Sequence, residues 1–231
     1  MKRRSHLTIE PRSLDVQAAD VIREEILTGA IEPGSRLLEI ELAEQFNLSR
    51  GTIRSALQQL TYEGLVVRFP YRGCAVAGLS SQDAWELYTL RSALEGLAAQ
   101  LAAEAITSTK VDTLNAALQQ LSAAAKKGSW QDFANADFAL HKTIIQLSGH
   151  CRLQEQYKIV EQQIRLYITS CNALYPSLDE LIEEHEQLVK AICSGDAAAA
   201  EQIAKGHNTD GKALVKHLQA LETQTLIIKK K

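Results

Sequence analysis

Four side chains in the carboxyl-terminal half combine the residue types of a metal site with a spacing that turns them inward. Asp137 and His141 are four residues apart among apolar neighbours, so one helix presents both from its apolar face. His185 and His207 also lie among apolar residues at helical spacing. Burying an unpaired charge is avoided unless it is paired or bound to a metal. We therefore predict that these four residues bind one divalent ion, zinc in first place and nickel, manganese or iron as alternatives, with open positions for water or ligand oxygens.

Each of these residues also has an ordinary structural interpretation. A histidine on an apolar face is often a core residue whose ring hydrogen-bonds a backbone carbonyl or a carboxylate. The metal interpretation is favoured because all four inward polar residues are metal-ligand types. Arg91, on the inward face of the first helix of this half, has two interpretations that stay open. It can offer a bidentate contact to a carboxylate ligand, or form an ion pair with Glu95 at the rim of a helical bundle.

A helix-turn-helix pattern occupies residues 37–60. Apolar residues at helical spacing precede Asn47, which can adopt the left-handed backbone of a tight turn, and Ser49 can cap the helix that follows. Arg50 and Arg54 are four residues apart and share the face that such folds lay in the DNA major groove. The alternative for the two arginines is a solvated helix face. The capped helix favours DNA binding.

A short β-hairpin follows, with Leu65–Arg68 and Cys74–Ala77 as its strands and Phe69–Gly73 as its turn. Residues 45–78 contain four arginines and one glutamate, a local charge of +3 in a chain whose net charge is −3. This local charge is what a helix-turn-helix followed by a wing needs in order to bind double-stranded DNA.

The composition argues against several other classes of protein. The 231 residues are 45% hydrophobic but contain no apolar run long enough for a membrane span. The basic stretch Met1–His6 is not followed by an apolar segment, as it is in a secretory signal. The four cysteines lie at least 20 residues apart, which argues against a zinc ribbon and a disulfide framework. We expect a cytoplasmic protein with no membrane partner.

We expect a mainly α protein with two domains. A flexible basic arm is expected over residues 1–13, a winged helix-turn-helix domain over 14–78, an all-helical domain over 79–223 and a basic tail over 224–231. The helical domain should be an antiparallel bundle of six helices, because Ala- and Leu-rich segments alternate with short breaks. These helices are predicted at Ser81–Ile106, Lys110–Lys127, Trp130–Leu147, Cys151–Ala173, Leu178–Ser194 and Asp196–Thr223.

Together these patterns resemble the GntR family of bacterial transcription regulators, in the branch with the all-helical FCD effector domain. The number of helices is most similar to its VanR-type subgroup. The resemblance extends from Leu14 to about Leu218. Its motifs are Leu42-Ala43-(x5)-Ser49-Arg50-(x3)-Arg54-(x2)-Leu57-(x2)-Leu60-(x2)-Glu63-Gly64-Leu65, then Arg72-Gly73, Arg91-(x2)-Leu94-Glu95, Asp137-(x3)-His141, His185 and His207.

The resemblance implies particular roles for these residues. It places DNA contacts at Ser49, Arg50, Thr52, Arg54, Arg72 and Gly73. It also implies that the divalent metal on the four predicted ligands helps to hold a small carboxylate effector. The chain departs from the family at Ile40, where many relatives have an arginine that contacts DNA. Gly51-Thr52-Ile53 also replaces the common Thr-Pro-Val, which leaves the first turn of the second helix less rigid.

The leading hypothesis is a homodimeric, metabolite-responsive repressor or activator. A single helix-turn-helix reads only a few base pairs, so two copies should bind a short pseudo-palindromic operator. A small organic acid would bind at the open metal positions and to Arg91. The alternative from another class is a metal-dependent hydrolase, but Glu183, Glu184 and Glu186 fall outside the inward face of His185 and leave no clear general base. A third hypothesis is a purely structural metal with a protein partner.

Overall fold

The computed structural model describes residues 12–78, 80–170, 178–207 and 209–229, with the side chains of all of these except 169–170, 209–210 and 224–229. Most of the predicted basic arm, Cys171, the predicted break at Pro176 and the end of the tail therefore lie outside the described residues. The chain divides into two compact units between Ala77 and Gly78.

Over its described residues, 12–77, the first unit contains three helices and a small sheet. Its elements are α1 (Leu14–Leu27), β1 (Arg36–Leu37), α2 (Glu39–Phe46), α3 (Arg50–Tyr62), β2 (Val66–Phe69) and β3 (Gly73–Val76). Helix α1 packs against α3, and the apolar faces of both are buried. The predicted hairpin is confirmed as β2 and β3, which pair antiparallel with Val66 opposite Val76.

The turn between α2 and α3 follows the predicted chemistry. Asn47 ends α2 in the left-handed conformation, with φ 52° and ψ 45°. The Ser49 hydroxyl then accepts a hydrogen bond from the Thr52 backbone N–H at 3.1 Å and caps α3.

Strand β1 was not predicted from the sequence. Strand β1 pairs with β3 at Arg36 opposite Ala75, so the sheet has three strands in the order β1-β3-β2.

In its described residues, the second unit contains helices joined by short turns and no strand. Its elements are α4 (Ser81–Glu104), α5 (Ser108–Lys126), α6 (Trp130–Leu147), α7 (Cys151–Ser170), α8 (Leu178–Cys193), α9 (Ala197–His207) and α10 (Thr209–Lys229). Ser80, Thr107 and Ser129 cap α4, α5 and α6 with their hydroxyl oxygens. Gly128, Gly149 and Gly195 follow helix ends with φ of 71°, 67° and 75°, where a side chain would be strained. The mainly α fold class is confirmed.

The predicted last helix, Asp196–Thr223, corresponds to two described helices, α9 and α10, on either side of residue 208. The sequence around this point, from Gly206 to Gly211, is rich in residues with weak helix propensity. Helix α10 also continues to Lys229, beyond the expected end of the helical domain at residue 223.

The centre of the second unit is apolar except for one group of six buried polar side chains. Helix α4 contacts α6, α7, α8, α9 and α10. The buried polar side chains at the centre of these helices are Arg91, Glu95, Asp137, His141, His185 and His207. None of the described helices is long and apolar enough to cross a membrane.

Candidate metal centre and nucleic-acid interface

The four predicted metal ligands come together in the second unit. Asp137 and His141 lie on α6, His185 on α8 and His207 on α9, and all four are buried. One ligand atom of each lies within 4.8 Å of the others. The Nε2 atom of His185 is 2.6 Å from Asp137 Oδ1 and 3.0 Å from His207 Nε2. The sequence therefore identified a real cluster from the inward faces of separate helices.

The three imidazole rings share one orientation, with Nε2 toward the cluster and Nδ1 toward an oxygen outside it. His185 Nδ1 is 2.6 Å from the Leu181 carbonyl oxygen. His141 Nδ1 is 3.0 Å from Glu95 Oε2, and His207 Nδ1 is 3.2 Å from Glu184 Oε2. Oxygen partners at the outer nitrogen fix the tautomer and orientation of metal-binding histidines.

This orientation directs nitrogen lone pairs to one point. A carbonyl oxygen only accepts hydrogen bonds, so His185 Nδ1 carries a proton. Its Nε2 lies between the Asp137 carboxylate oxygen and His207 Nε2, and these atoms repel one another unless a proton or a metal ion lies between them. His141 Nε2 is buried with no hydrogen-bond partner among the described residues. The donor set and its unsatisfied atom fit a divalent cation.

The protonation states of the cluster suit the same role. Burial, reinforced by the nearby His185, lowers the pKa of His207 to about 4, so its ring is neutral at pH 7. Burial alone would raise the pKa of Asp137, but His185 and the other neighbouring groups outweigh it and hold that pKa well below the usual range. The cluster thus presents a carboxylate and a neutral imidazole, which are the forms that bind metals.

A second charged group lies against the cluster. The Arg91 Nε donates to Glu95 Oε1 at 2.8 Å, and the Tyr157 hydroxyl donates to the same oxygen at 2.9 Å. Burial alone would raise the pKa of Glu95, but Arg91 and His141 hold it well below its usual range. The ion pair with Glu95, which was one of the two interpretations of Arg91, is therefore present. It is buried, however, and not at the rim of the bundle, because the two side chains are only 5% and 3% exposed.

Sequence reasoning missed three residues around the metal cluster. Glu95 was considered only as a partner of Arg91, and Tyr157 was not considered. Glu184 was expected to lie outside the inward face of His185. Its helix position is indeed peripheral, but the side chain reaches the next helix and its Oε2 contacts His207. No spacing rule could have found these contacts, since Tyr157 lies 62 residues from Glu95.

In the first unit, the predicted DNA-contacting residues lie at the start of α3 and on the wing. Arg50 and Arg54 are exposed on α3, and Arg72 is exposed in the turn between β2 and β3. Gly73 begins β3 with φ 84°, a conformation that favours glycine. The hydroxyls of Ser49 and Thr52 are 2.8 Å apart at the N-terminus of α3. Contacts with DNA at these six positions remain predictions.

An acidic residue is part of the same surface. Glu39 binds Arg54 with a closest distance of 2.7 Å, between Oε2 and Nη2. The hydrogen bond from Arg54 lowers the pKa of Glu39, and the charges of Arg50 and Arg68 act in the same direction. Glu39, Arg54 and Arg68 also line one small cleft of about 250 Å³. Arg68 was counted in the local charge but was not predicted as a DNA contact.

Two family models match the chain, and their boundaries follow the two units. The model for bacterial regulatory proteins of the gntR family matches residues 14–76, and the FCD domain model matches residues 86–210. The chain belongs to the GntR family and carries an FCD domain. This GntR-family protein is therefore a DNA-binding transcription regulator and not an enzyme, as predicted. The VanR-type subgroup stays a prediction.

Curated relatives of this GntR-family chain are similar over most of their length. The probable D-xylose utilization operon transcriptional repressor of Paenarthrobacter nicotinovorans is 27% identical over 191 residues, 83% of this chain and 84% of that protein. The HTH-type transcriptional repressor RspR of Escherichia coli is 28% identical over 191 residues, 81% of this chain and 82% of that protein. The gluconate operon transcriptional repressor of Bacillus subtilis is 26% identical over 196 residues, 80% of this chain and 78% of that protein.

Solved structures share the fold of this GntR-family chain. Escherichia coli McbR/YncC superposes with a TM-score of 0.75 at 22% identity, over 90% of this chain and 99% of that one. A GntR-type regulator from a Rhodococcus species gives a TM-score of 0.73 at 24% identity, over 89% of this chain and 99% of that one. At this identity the similarity establishes the architecture alone.

Proposed function

We propose that this regulator is a metabolite-responsive repressor that acts in the cytoplasm as a homodimer on a short pseudo-palindromic operator. In this proposal Asp137, His141, His185 and His207 hold one divalent ion, zinc in first place, and a small organic acid binds beside it. Three of the similar proteins named above are transcriptional repressors, and two of these act on operons for sugar or sugar-acid use. The observation that carries the proposal is the convergence of three imidazole Nε2 atoms and one carboxylate at a buried point.

The balance of buried charge favours an anionic effector. Glu95 and Asp137 are ionised and Arg91 is protonated, so these three side chains sum to one negative charge, and an imidazole that binds a metal is neutral. A divalent ion would convert this to one positive charge. A monocarboxylate would then neutralise the site, and a buried site without net charge avoids a large desolvation cost.

Arg91 has the geometry to contribute to such a carboxylate. Only its Nε makes a hydrogen bond to a described residue, and that bond goes to Glu95. The other oxygen of the same Glu95 carboxylate lies 3.0 Å from His141 Nδ1, so Arg91 and His141 share one carboxylate. The two terminal nitrogens thus keep donors for a bidentate contact with a carboxylate. In this proposal Glu95 fixes the direction of the guanidinium while Arg91 holds the effector.

Metal analysis and effector titration test the proposal together. Protein purified without chelator or metal-affinity tag should contain about one divalent ion per chain by elemental analysis, and Asp137→Ala should lose it. His217→Ala is the matched control. His217 is exposed on α10 and lies outside the cluster, so this variant should retain the metal. A panel of small carboxylates should then raise the melting temperature and change operator affinity in the wild type only.

Each outcome has a defined meaning. If the metal content is near zero and added metal does not restore it, the histidines are core residues that hydrogen-bond to neighbouring oxygens. A metal that binds without any response to carboxylates would favour the structural-metal hypothesis, with a protein partner as the regulator. A chain that stays monomeric at micromolar concentration and binds no selected operator would contradict the proposed mode of DNA binding.

A further inference from the structure

A groove of about 490 Å³ lies between α4 and α10, and Lys205 of α9 also lines it. This volume falls in the usual range for small-molecule sites. Neither Arg91 nor any of the four metal-cluster residues lines the groove. On α4, Tyr88 and Ser92 face the groove, whereas Arg91 and Glu95 belong to the buried polar centre. The two sites therefore occupy neighbouring faces of one helix.

The floor of the groove is apolar and partly aromatic. Trp85 and Tyr88 of α4 line it together with Val215 of α10. Gly211 brings α10 close to the floor, since a Cβ atom at that position would overlap the Tyr88 ring. Trp85 is 53% exposed, so its indole face is available to a ligand. A flat apolar surface of this kind suits an alkyl chain or an aromatic ring.

The rim of the groove is basic. Lys205, Lys212 and Lys216 line it, and no carboxylate side chain is among the lining residues. Lys205 is already paired, with its Nζ 2.5 Å from Glu201 Oε1. Lys212 and Lys216 are one turn apart on α10 and make no ion pair with any residue whose side chain the structure describes. They are exposed, and they leave two positive charges beside an apolar floor.

We propose that this α4–α10 groove is a second ligand site, separate from the metal cluster, for a small organic anion with an apolar body. The apolar body lies on Trp85 and Val215, and the anionic head lies between Lys212 and Lys216. The charges and the apolar floor together favour this class of ligand. A neutral apolar molecule would leave both lysines without an anionic partner, and a polar anion would leave the apolar floor exposed to water. The site does not depend on a metal.

The two tryptophans of the chain, Trp85 and Trp130, allow a direct test. Trp130→Phe leaves Trp85 as the single fluorophore, and Trp85→Phe leaves Trp130, which stacks on Phe133 away from the groove. Octanoate and phenylacetate are titrated into both full-length variants with metal-binding chelator present. A saturable change in fluorescence is expected with Trp130→Phe and not with Trp85→Phe. The two probes distinguish an alkyl from an aromatic body.

Charge and shape variants complete the test. In the Trp130→Phe background, the pair Lys212→Ala and Lys216→Ala should weaken octanoate binding about tenfold, since each exposed ion pair contributes modestly. Binding of octanol, the uncharged counterpart, should not change. Val215→Arg should abolish binding of both by filling the groove. Arg91→Lys, at the metal cluster, should leave octanoate affinity unchanged, so that failure of this proposal and failure of the effector site are distinguishable.

Three outcomes would overturn the proposal. The first is no saturable response of Trp85 to either anion. The second is equal octanoate affinity with and without the two lysines, which would remove the anion from the site. The third is a wild type that sediments as a dimer and a Val215→Arg variant that sediments as a monomer, both without added ligand. A second copy of the chain would then cover the groove in the wild type.

Discussion

Glu39, the first residue of α2, holds the guanidinium of Arg54 on α3 through both of its carboxylate oxygens. Nε of Arg54 is 3.1 Å and 3.2 Å from the two oxygens, and Nη2 is 2.7 Å from one of them. The remaining terminal nitrogen of Arg54, Nη1, takes no part in these hydrogen bonds. Arg54, a predicted DNA contact, is thus oriented in the absence of DNA.

We expect Glu39→Gln to separate affinity from specificity. The substitution removes one negative charge beside Arg50, Arg54 and Arg68, so the net charge of this surface becomes more positive and binding to non-specific DNA should become tighter. Preference for a selected operator should fall several-fold, because Arg54 is no longer held in one direction. Competition between operator and random-sequence DNA over a range of salt concentrations measures both. Glu41→Gln is the control, since it changes the charge equally on α2 without touching Arg54, and an unchanged operator preference in Glu39→Gln would contradict the prediction.

The N-cap of α3 should contribute measurably to stability. Ser49→Ala removes the acceptor for the Thr52 N–H, and such a loss costs about 1 kcal/mol. Urea unfolding should show this loss in the transition of the first unit. Ser55→Ala, at an exposed position within the same helix, should cost much less. Equal effects of the two changes would mean that the cap is not formed in solution.

The oxygen partners of the histidines should control metal affinity to different degrees. Glu95→Gln should weaken metal binding about tenfold to a hundredfold, because Glu95 is buried and orients His141. Glu184→Gln should weaken it less, because the Glu184 side chain is 45% exposed and water can replace it. Competition with a chromophoric chelator gives both affinities. A larger effect from Glu184→Gln would reverse the assigned order.

Two substitutions of Arg91 should separate its structural and ligand-binding roles. Arg91→Ala leaves Glu95 buried without its cation and should lower the free energy of unfolding by about 3–5 kcal/mol. Arg91→Lys keeps the charge but loses the planar fork, so most of the stability should remain while the response to carboxylates weakens. Urea unfolding and effector titration are measured on the same samples. A carboxylate response equal to the wild type in Arg91→Lys would remove Arg91 from the effector site.

Local sequence rules predicted the elements whose ends are fixed by short-range chemistry. The observed bounds of α6, Trp130–Leu147, agree with the predicted bounds at both ends, because Ser129 caps the helix and Gly149 follows its end. The turn at Asn47 was predicted for the same reason. Strand β1 was missed because two residues are too few to show an alternating pattern, and its pairing depends on a strand that lies 37 residues later in the chain.

The cluster of Asp137, His141, His185 and His207 was predictable because each of these polar residues lies on an apolar helix face. Its surroundings were not, because they depend on which helices become neighbours. The contacts of Glu95 with Tyr157 and of Glu184 with His207 join separate helices, and no periodicity within one helix encodes them. The α4–α10 groove has the same origin, since Trp85 and Val215 are far apart in the sequence.

The two residues of β1 make β3 the central strand of the wing sheet rather than one arm of a free hairpin. Backbone amides of β3 at Cys74 and Ala75 therefore lie between two ladders, and hydrogen exchange there requires the opening of local structure on either side. Strand β1 lies in the segment between α1 and α2, so its pairing with β3 joins this segment to the wing. Without this pairing, β3 would keep β2 as its partner and would have one edge unpaired.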